Sequence, residues 1–290
     1  MNILLIGKNG QVGWELERSL MPIGDVTALD RSKADLANPN VLRAIIRTLK
    51  PDVIINAAAY TAVDAAESDE ALAMVVNGDA PGVLAEEAKA INALLIHYST
   101  DYVFDGQKNG SYTENDLPNP INIYGKTKLA GENKIKTTGI DHIIFRTSWV
   151  FSTRGKNFFN TILRLANERD ELSIVADQIG TPTWARLIAE TTAVCVLKSV
   201  QMRKNGIFNP GIYNLTARNH TSWYGFAKEI IASSANPLLQ LKPESIKPIK
   251  TEAYPTPAQR PLNSRMDISK LEEEFMLIMP SWEETLKLLS

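Results

Sequence analysis

The chain has 290 residues, of which 31 are Lys or Arg and 33 are Asp or Glu, a formal net charge of −2, and that balance leaves no basic footprint for a nucleic-acid partner. Hydrophobic residues make up 44% and charged residues 22%, which excludes a disordered chain and leaves ample length for a proper core in one large or two ordinary domains. The single cysteine, Cys195, excludes an intramolecular disulfide framework and a cysteine-only zinc site, and it fits a reducing compartment.

No apolar run approaches the roughly 18 residues of a membrane span, so no membrane partner is expected. Met1-Asn2-Ile3-Leu4-Leu5-Ile6 lacks the charged start of a signal peptide, and a cytoplasmic protein is expected. Short apolar runs then alternate with amphipathic stretches. The runs are Ile3–Ile6, Val26–Leu29, Val53–Ile55, Leu94–Ile96 and His142–Phe145. Helices are expected at Gln11–Leu20, Val41–Leu49, Asp69–Asn92 and Lys126–Lys136. Continuous apolar strands separated by helices predict an α/β protein, with a Rossmann-like doubly wound parallel sheet over residues 1–150.

After residue 150 polar loops appear at Ser152–Lys156, Asp177–Thr183 and Arg203–Gly211. Helices are expected at Asn157–Glu168, Arg186–Lys198, Trp223–Ser233 and Trp282–Leu289, the last with Trp282, Leu286 and Leu289 on one face. Residues 151–290 thus read as a smaller C-terminal α/β substrate-binding lobe, with helices from 186–235 packed back on the first.

Gly7, Gly10 and Gly13 form a G-x-x-G-x-x-G run that follows the first strand and opens the first helix. Glycine permits a tight turn and close approach of a pyrophosphate, and a helix N-terminus offers its N–H groups to phosphate. With Asp30 ending the second strand, this makes a dinucleotide fingerprint. The spacing resembles that of the short-chain dehydrogenase/reductase superfamily in its extended form. Asp30 favours NADH by accepting from the ribose diol, whereas Arg31 beside it favours NADPH by pairing with a 2′-phosphate; the choice stays open. Asp35-Leu36 resembles the acidic-apolar pair that borders the adenine in such proteins. Ala57-Ala58-Ala59 after the third strand serves close approach of the cofactor or close helix packing.

Tyr124 and Lys128 form a Y-x-x-x-K motif, which a helix places on one face. A free phenol titrates near about 10, and a nearby ammonium is expected to lower that. Tyr124 can then donate a proton to a carbonyl oxygen as hydride reaches its carbon, while Lys128 holds the nicotinamide ribose. Upstream, Ser99-Thr100-Asp101-Tyr102-Val103-Phe104 leaves the fourth strand at the carboxyl edge of the sheet, where ligands bind in this fold. In the superfamily's S-x-x-V-[YF] pattern the catalytic hydroxyl stands three residues before the valine, which is Thr100. Ser99 reads as packing or as a bond behind the site. Asp101 reads as structural at the turn or as a substrate contact.

The stretches Met1–Leu16 (MNILLIGKNGQVGWEL), Pro51–Ser68 (PDVIINAAAYTAVDAAES), His97–Gly106 (HYSTDYVFDG), Ile123–Glu132 (IYGKTKLAGE), Phe145–Val150 (FRTSWV), Asp177–Thr183 (DQIGTPT) and Tyr254–Ser264 (YPTPAQRPLNS) span essentially the whole chain. On them the sequence resembles the dTDP-4-dehydrorhamnose reductase family. The last two weigh most, because the first half is shared with many sugar-nucleotide epimerases and dehydratases. The resemblance implies NADPH- or NADH-dependent reduction of the C4 ketone of dTDP-4-dehydro-β-L-rhamnose to dTDP-β-L-rhamnose, the last step of a pathway that supplies rhamnose to surface polysaccharide. It implies Thr100, Tyr124 and Lys128 as the catalytic group. It implies Gly10, Gln11, Val12, Asp30, Asp35, Leu36, Ala59, Tyr60 and Thr61 as cofactor contacts. It implies Trp149 as a substrate contact packed on the sugar face, although the residue alone also reads as a core tryptophan at a strand end. Thr100 and Asp101 would both meet the sugar. Arg260 either holds the diphosphate, in the bidentate manner of a guanidinium, or braces the proline-rich loop.

Some members of this family bridge Mg²⁺ with glutamates at a dimer contact. Glu15 matches one such position, but Arg186 stands at a second, where it would repel a cation. Neither an intersubunit metal nor a dimer built on it is therefore expected, and monomer or homodimer stays open. His97, His142 and His220 show no zinc-ligand spacing. Two rival readings are another sugar-nucleotide epimerase or dehydratase and a non-catalytic regulatory subunit. Thr100-Asp101-Tyr102 lacks the glutamate a dehydratase needs, and a binding subunit would not require Tyr124 and Lys128.

Overall fold

The apolar runs of the first half become strands of one sheet, in a computed structural model that describes residues 1–234 and 242–289. Position 235 of the expected helical stretch and Ser290 lie outside the described residues. The first half runs β1 (Asn2–Ile6), α1 (Gln11–Leu20), β2 (Asp25–Leu29), α2 (Pro39–Leu49), β3 (Val53–Asn56), α3 (Val63–Ala66), α4 (Glu70–Met74), α5 (Ala80–Ala90), β4 (Leu94–Thr100), α6 (Ile123–Thr138) and β5 (His142–Thr147). The second runs β6 (Val150–Phe151), α7 (Phe158–Glu168), β7 (Leu172–Val175), β8 (Ile179–Gly180), β9 (Thr183–Trp184), α8 (Ala185–Lys204), β10 (Gly211–Asn214), β11 (Thr221–Ser222), α9 (Trp223–Ala232), β12 (Ile246–Ile249), α10 (Ser269–Glu274) and α11 (Trp282–Lys287).

The main sheet is six-stranded, in the order β2-β1-β3-β4-β5-β10, and every pairing in it is parallel. Its strands are continuous apolar runs because helices cover both faces. In β1, Ile3 and Leu5 face a core shared with Leu16 of α1 and Ile188 and Val196 of α8. Leu4 and Ile6 face the opposite core, with Ile46 of α2, Leu84 of α5 and Ile135 of α6. The chain leaves β1 outward to β2 and returns on the other side to β3. The carboxyl ends of β1 and β3 are therefore the switch point where this architecture opens a ligand crevice.

Three elements depart from the sequence expectation. The stretch Asp69–Asn92 is not one regular helix, because a π-helical turn at Val75–Asp79 separates α4 from α5. The polar stretch after α8 ends in a sixth strand, β10, whose Asn214 side chain donates to the carbonyls of Tyr112 and Asp267. And α6 starts at Ile123, capped by the Asn122 side chain, which accepts from the Gly125 amide at 2.8 Å. In the second half, α8 packs against α1. By contrast α9 packs on α7, in an aromatic cluster of Phe151, Phe159, Phe226 and Trp282.

The position of α6 is set by close approach and by a buried charge. A Cβ at Gly125 would stand 2.1 Å from the Tyr102 carbonyl oxygen, and one at Gly131 2.2 Å from that of Asn77. Glycine costs about 1 kcal/mol in a helix interior, yet here nothing larger lets α6 lie this near the sheet. One turn beyond Lys128, the Glu132 carboxylate accepts from Ser99 Oγ at 2.5 Å and from Arg146 Nε and Nη2 at 2.9 and 2.6 Å. The Arg146 and Glu132 side chains are 1% and 0% exposed. Removing one partner of such a pair strands a buried charge. Arg146→Met is therefore expected to lower stability by about 3–5 kcal/mol in urea unfolding, and the double variant Arg146→Met/Glu132→Leu to recover part of the loss. Undiminished stability of the single variant would contradict this picture.

Candidate active site

The carboxyl ends of β1, β3 and β4 open into a cleft of about 860 Å³, closed on the far side by Trp149, Asn157, Phe158 and Trp223. Gly7, Gly10, Gln11 and Val12 line its floor. Gly7 takes φ +95°, and a Cβ there would lie 2.7 Å from the Ala58 amide. No side chain caps the first turn of α1, which leaves its amides for an anion. These features fit a dinucleotide pyrophosphate. Gly13 does not line the cleft. It lies behind the loop, where a Cβ would meet the Gly7 carbonyl oxygen at 2.0 Å, so its smallness serves helix–loop packing rather than ligand contact. Gln11 Oε1 accepts from Asn157 Nδ2 at 2.7 Å, which ties the glycine loop to the start of α7.

Asp30, Arg31, Asp35 and Leu36 form one end of the cleft. Asp30 Oδ1 accepts from the Ser32 amide and hydroxyl at 3.0 and 2.6 Å, and Oδ2 accepts from Asn9. The Ser32 hydroxyl leads in holding this carboxyl below its ordinary range. Arg31 pairs with Asp35 at 3.5 Å, so the two opposed signals for cofactor choice stand side by side. Ala59, Tyr60 and Thr61 line the opposite wall. Asn77, turned inward by the π-helical segment, accepts from the Tyr60 amide at 2.8 Å and donates to the Tyr60 carbonyl and to Thr127 Oγ1. This is a purpose for the irregular turn, since π-bulges gather at functional sites.

Thr100, Tyr124 and Lys128 converge in the cleft. Thr100 Oγ1 donates to Asp101 Oδ1 at 3.0 Å and accepts from the Tyr102 amide. Tyr124 occupies the first turn of α6. Burial pushes its phenol up, with Thr100 opposing. The lowering by Lys128 that the motif suggested is not what governs it. Lys128 Nζ turns instead into β4, where it donates to the Tyr98 carbonyl at 2.6 Å and lies 3.4 Å from His97 Nε2. Burial holds Lys128 down to about 8, with Glu132 opposing. Tyr124 accordingly keeps its proton at neutral pH, the state a proton donor needs.

Asp101 is buried at the cleft wall, with Oδ2 lacking a partner. Burial pushes its carboxyl up to about 6, with Ser264 and Thr100 opposing. Arg260 also lines the cleft, but its guanidinium donates to Asp64 Oδ2 at 2.7 Å and to the Tyr102 hydroxyl at 3.2 Å. Asp64 in turn accepts from the Ala258 amide. Of the two readings of Arg260, these contacts serve the bracing one. Trp149 is half-buried at φ +45° and stacks on Trp223 at 3.6 Å and 9°, so it is a wall of the cleft and not a core residue. The Trp223 indole donates to Gln178 Oε1.

Sequence reasoning missed Trp223, Phe158 and Asn157. Asn157 and Ser222 are side-chain N-caps, so both helix starts were legible, but nothing local says that those starts face a ligand cleft. Glu15 lies near both Arg186 and Glu190, which pair with each other, and among the described residues no group of three or more His, Cys, Asp or Glu side chains converges.

Residues 1–290 match the family model described as RmlD substrate binding domain. The chain is 53% identical over 287 residues to a dTDP-4-dehydrorhamnose reductase of Burkholderia thailandensis, covering 97% of this chain and 95% of the relative. Its structure is similar to that of a dTDP-4-dehydrorhamnose reductase ortholog from Clostridium acetobutylicum, with a TM-score of 0.90 and 37% identity over 99% of this chain and 98% of that one. It is also similar to the dTDP-4-dehydrorhamnose reductase of Bacillus anthracis in complex with NADP, with a TM-score of 0.88 and 35% identity over 99% and 97% of the two chains.

Asp101 yields a pH-dependent expectation. Its folded-state pKa is raised from 3.8 to about 6, so the folded state binds the extra proton and stability falls as pH rises between those values. Asp101→Asn removes that loss. It is expected to stabilise the protein at pH 7.5 by on the order of 3 kcal/mol, and to have little effect near pH 4, in urea titrations at both. Equal effects at the two pH values would contradict the assignment.

Proposed function

The chain belongs to the RmlD substrate binding domain family, whose relatives are dTDP-4-dehydrorhamnose reductases, and on that premise we propose that Thr100, Tyr124 and Lys128 form its catalytic group. The chain is an NADPH- or NADH-dependent oxidoreductase. It reduces the C4 ketone of dTDP-4-dehydro-β-L-rhamnose to dTDP-β-L-rhamnose, the last step of dTDP-rhamnose biosynthesis. The observation that carries the site reading is the meeting of a strand-end hydroxyl, a phenol and a buried lysine in one cleft beside an uncapped helix start.

The nicotinamide, when bound, supplies hydride to the carbonyl carbon. The chain's own residues manage the oxygen. The Tyr124 phenol gives its proton to the developing alkoxide. The Thr100 hydroxyl turns from Asp101 to donate to the same oxygen, which fixes its direction and spreads its charge. Lys128 Nζ donates to the Tyr98 carbonyl and faces His97, and its remaining N–H is directed to a ribose hydroxyl. The backbone of Gly7, Gly10, Gln11 and Val12 takes the pyrophosphate, and Asp30, Arg31, Asp35 and Leu36 take the adenosine end. Ala59, Tyr60 and Thr61 cover the cofactor from the other wall. Trp149, braced by Trp223, offers its face to the sugar, and Asp101 lines the same cleft.

The same reading assigns the cofactor to the lobe of residues 1–150 and the sugar nucleotide to the lobe of residues 151–290. It includes a cytoplasmic enzyme that works as a monomer or homodimer on a small molecule. Among the described residues no helix is long and apolar enough to cross a membrane.

Tyr124→Phe keeps the ring and removes the proton. With NADPH and the dTDP-4-keto sugar, the loss of reduced-cofactor absorbance is expected to slow about 100-fold or more in kcat, with unfolding unchanged. Near-normal turnover would remove Tyr124 from the mechanism.

A further inference from the structure

Behind Lys128 lies a polar chain that does not reach the cleft. Asn56 ends β3 and His97 stands beside it on β4, the two being register partners. Both are 1% exposed, and neither lines the cleft. Asn56 Oδ1 accepts from the Ala58 amide at 3.2 Å, so its Nδ2 faces His97 Nδ1, at 3.2 Å. An amide nitrogen only donates. His97 Nδ1 must therefore be the bare, accepting nitrogen, and a neutral ring then carries its proton on Nε2. That Nε2 faces Lys128 Nζ at 3.4 Å. An ammonium has no lone pair to accept it, whereas an amine does.

We propose that His97, locked by Asn56 in the Nε2–H tautomer, is a positioning residue that presents a donor to Lys128 Nζ and so sets how readily the catalytic lysine releases its proton. The idea rests on Lys128 belonging to the catalytic group. His97 is neutral, since burial first and Lys128 second hold it well below the ordinary imidazole range. The other groups around Lys128 are Tyr124 and Glu132 on α6, with Glu132 already engaged by Arg146 of β5 and Ser99 of β4. On β4 the Tyr98 carbonyl accepts from Nζ, and Asp101 follows the strand at the cleft wall. The carbonyl favours the ammonium and the imidazole N–H favours the amine. Lys128 is thus held between its two states.

Nitrogen-15 spectra of the whole labelled chain test this directly, because only three histidines contribute. His97 is expected to show a bare Nδ1 and a protonated Nε2 throughout the neutral range, with the Nε2 shift moving at a midpoint of about 8 as Lys128 titrates. In Asn56→Asp the carboxylate draws the proton to Nδ1 and leaves Nε2 to accept from the ammonium. The midpoint and the alkaline limb of kcat are then expected to rise together, by about one pH unit or more. An Nδ1–H tautomer or an imidazolium in the unsubstituted chain overturns the proposal, and so does an alkaline limb that stays put while the tautomer reverses. If Asn56→Asp does not fold, the spectrum of the unsubstituted chain decides alone. Failure of the underlying reading looks different: the unsubstituted protein would oxidise no NADPH with the keto sugar, whatever the tautomer.

Discussion

The Glu132 carboxylate, fully buried and shared by Ser99 and Arg146, is the constraint on which the site's geometry depends. A lone charge in that position would be prohibitively unfavourable, so α6 can take only the axial position and rotation that pair it. Lys128 and Tyr124 lie one and two turns earlier on the same buried face, and their placement against the end of β4 follows. At the start of the helix Asn122 adds a second anchor, by capping the Gly125 amide and donating to the Gln259 carbonyl. A helix tied at its start and in its interior keeps the phenol opposite Thr100, and catalysis by orientation needs that fixity.

A protein of net charge −2 that takes two diphosphates must gather positive potential locally. Its guanidinium groups are mostly committed elsewhere. Arg260 is bonded to Asp64 and Tyr102, and Arg31 is paired with Asp35. The uncapped start of α1 and Lys128 supply what remains, with Lys156 on the far wall. The second half of the chain is not an independent body laid over the first. Residues of α8, β10 and α10 enter the core beneath the sheet, and Asn157 reaches back to Gln11. The cleft walls are therefore coupled through packing and hydrogen bonds.

What could be read from the sequence was local. The strand, glycine loop and helix at Asn2–Leu20, and the Tyr124–Lys128 pair, depend on spacing within a few residues, and the structure places them in one crevice. What could not be read was tertiary. Asn77 faces inward only because a π-helical turn forms against α6, and β10 is too short and too polar to announce itself. Gly13 looked like part of the phosphate cradle but acts as a packing contact. The motif suggested that Lys128 would lower the Tyr124 pKa; the β4 carbonyl that draws the ammonium away is visible only in the fold. Trp223 and the Asn56–His97 pair are assembled across strands and lobes, with no sequence spacing to betray them.

The claim that ties these observations together is that hydride passes to the sugar C4 within this cleft while Tyr124 supplies the proton. NADPH carrying deuterium on the transferred position of the nicotinamide, mixed with the dTDP-4-keto sugar and the protein, tests it by mass spectrometry and NMR of the product. The account predicts one deuterium on C4 of dTDP-rhamnose. An unlabelled sugar, or one altered without oxidation of the cofactor, would contradict it.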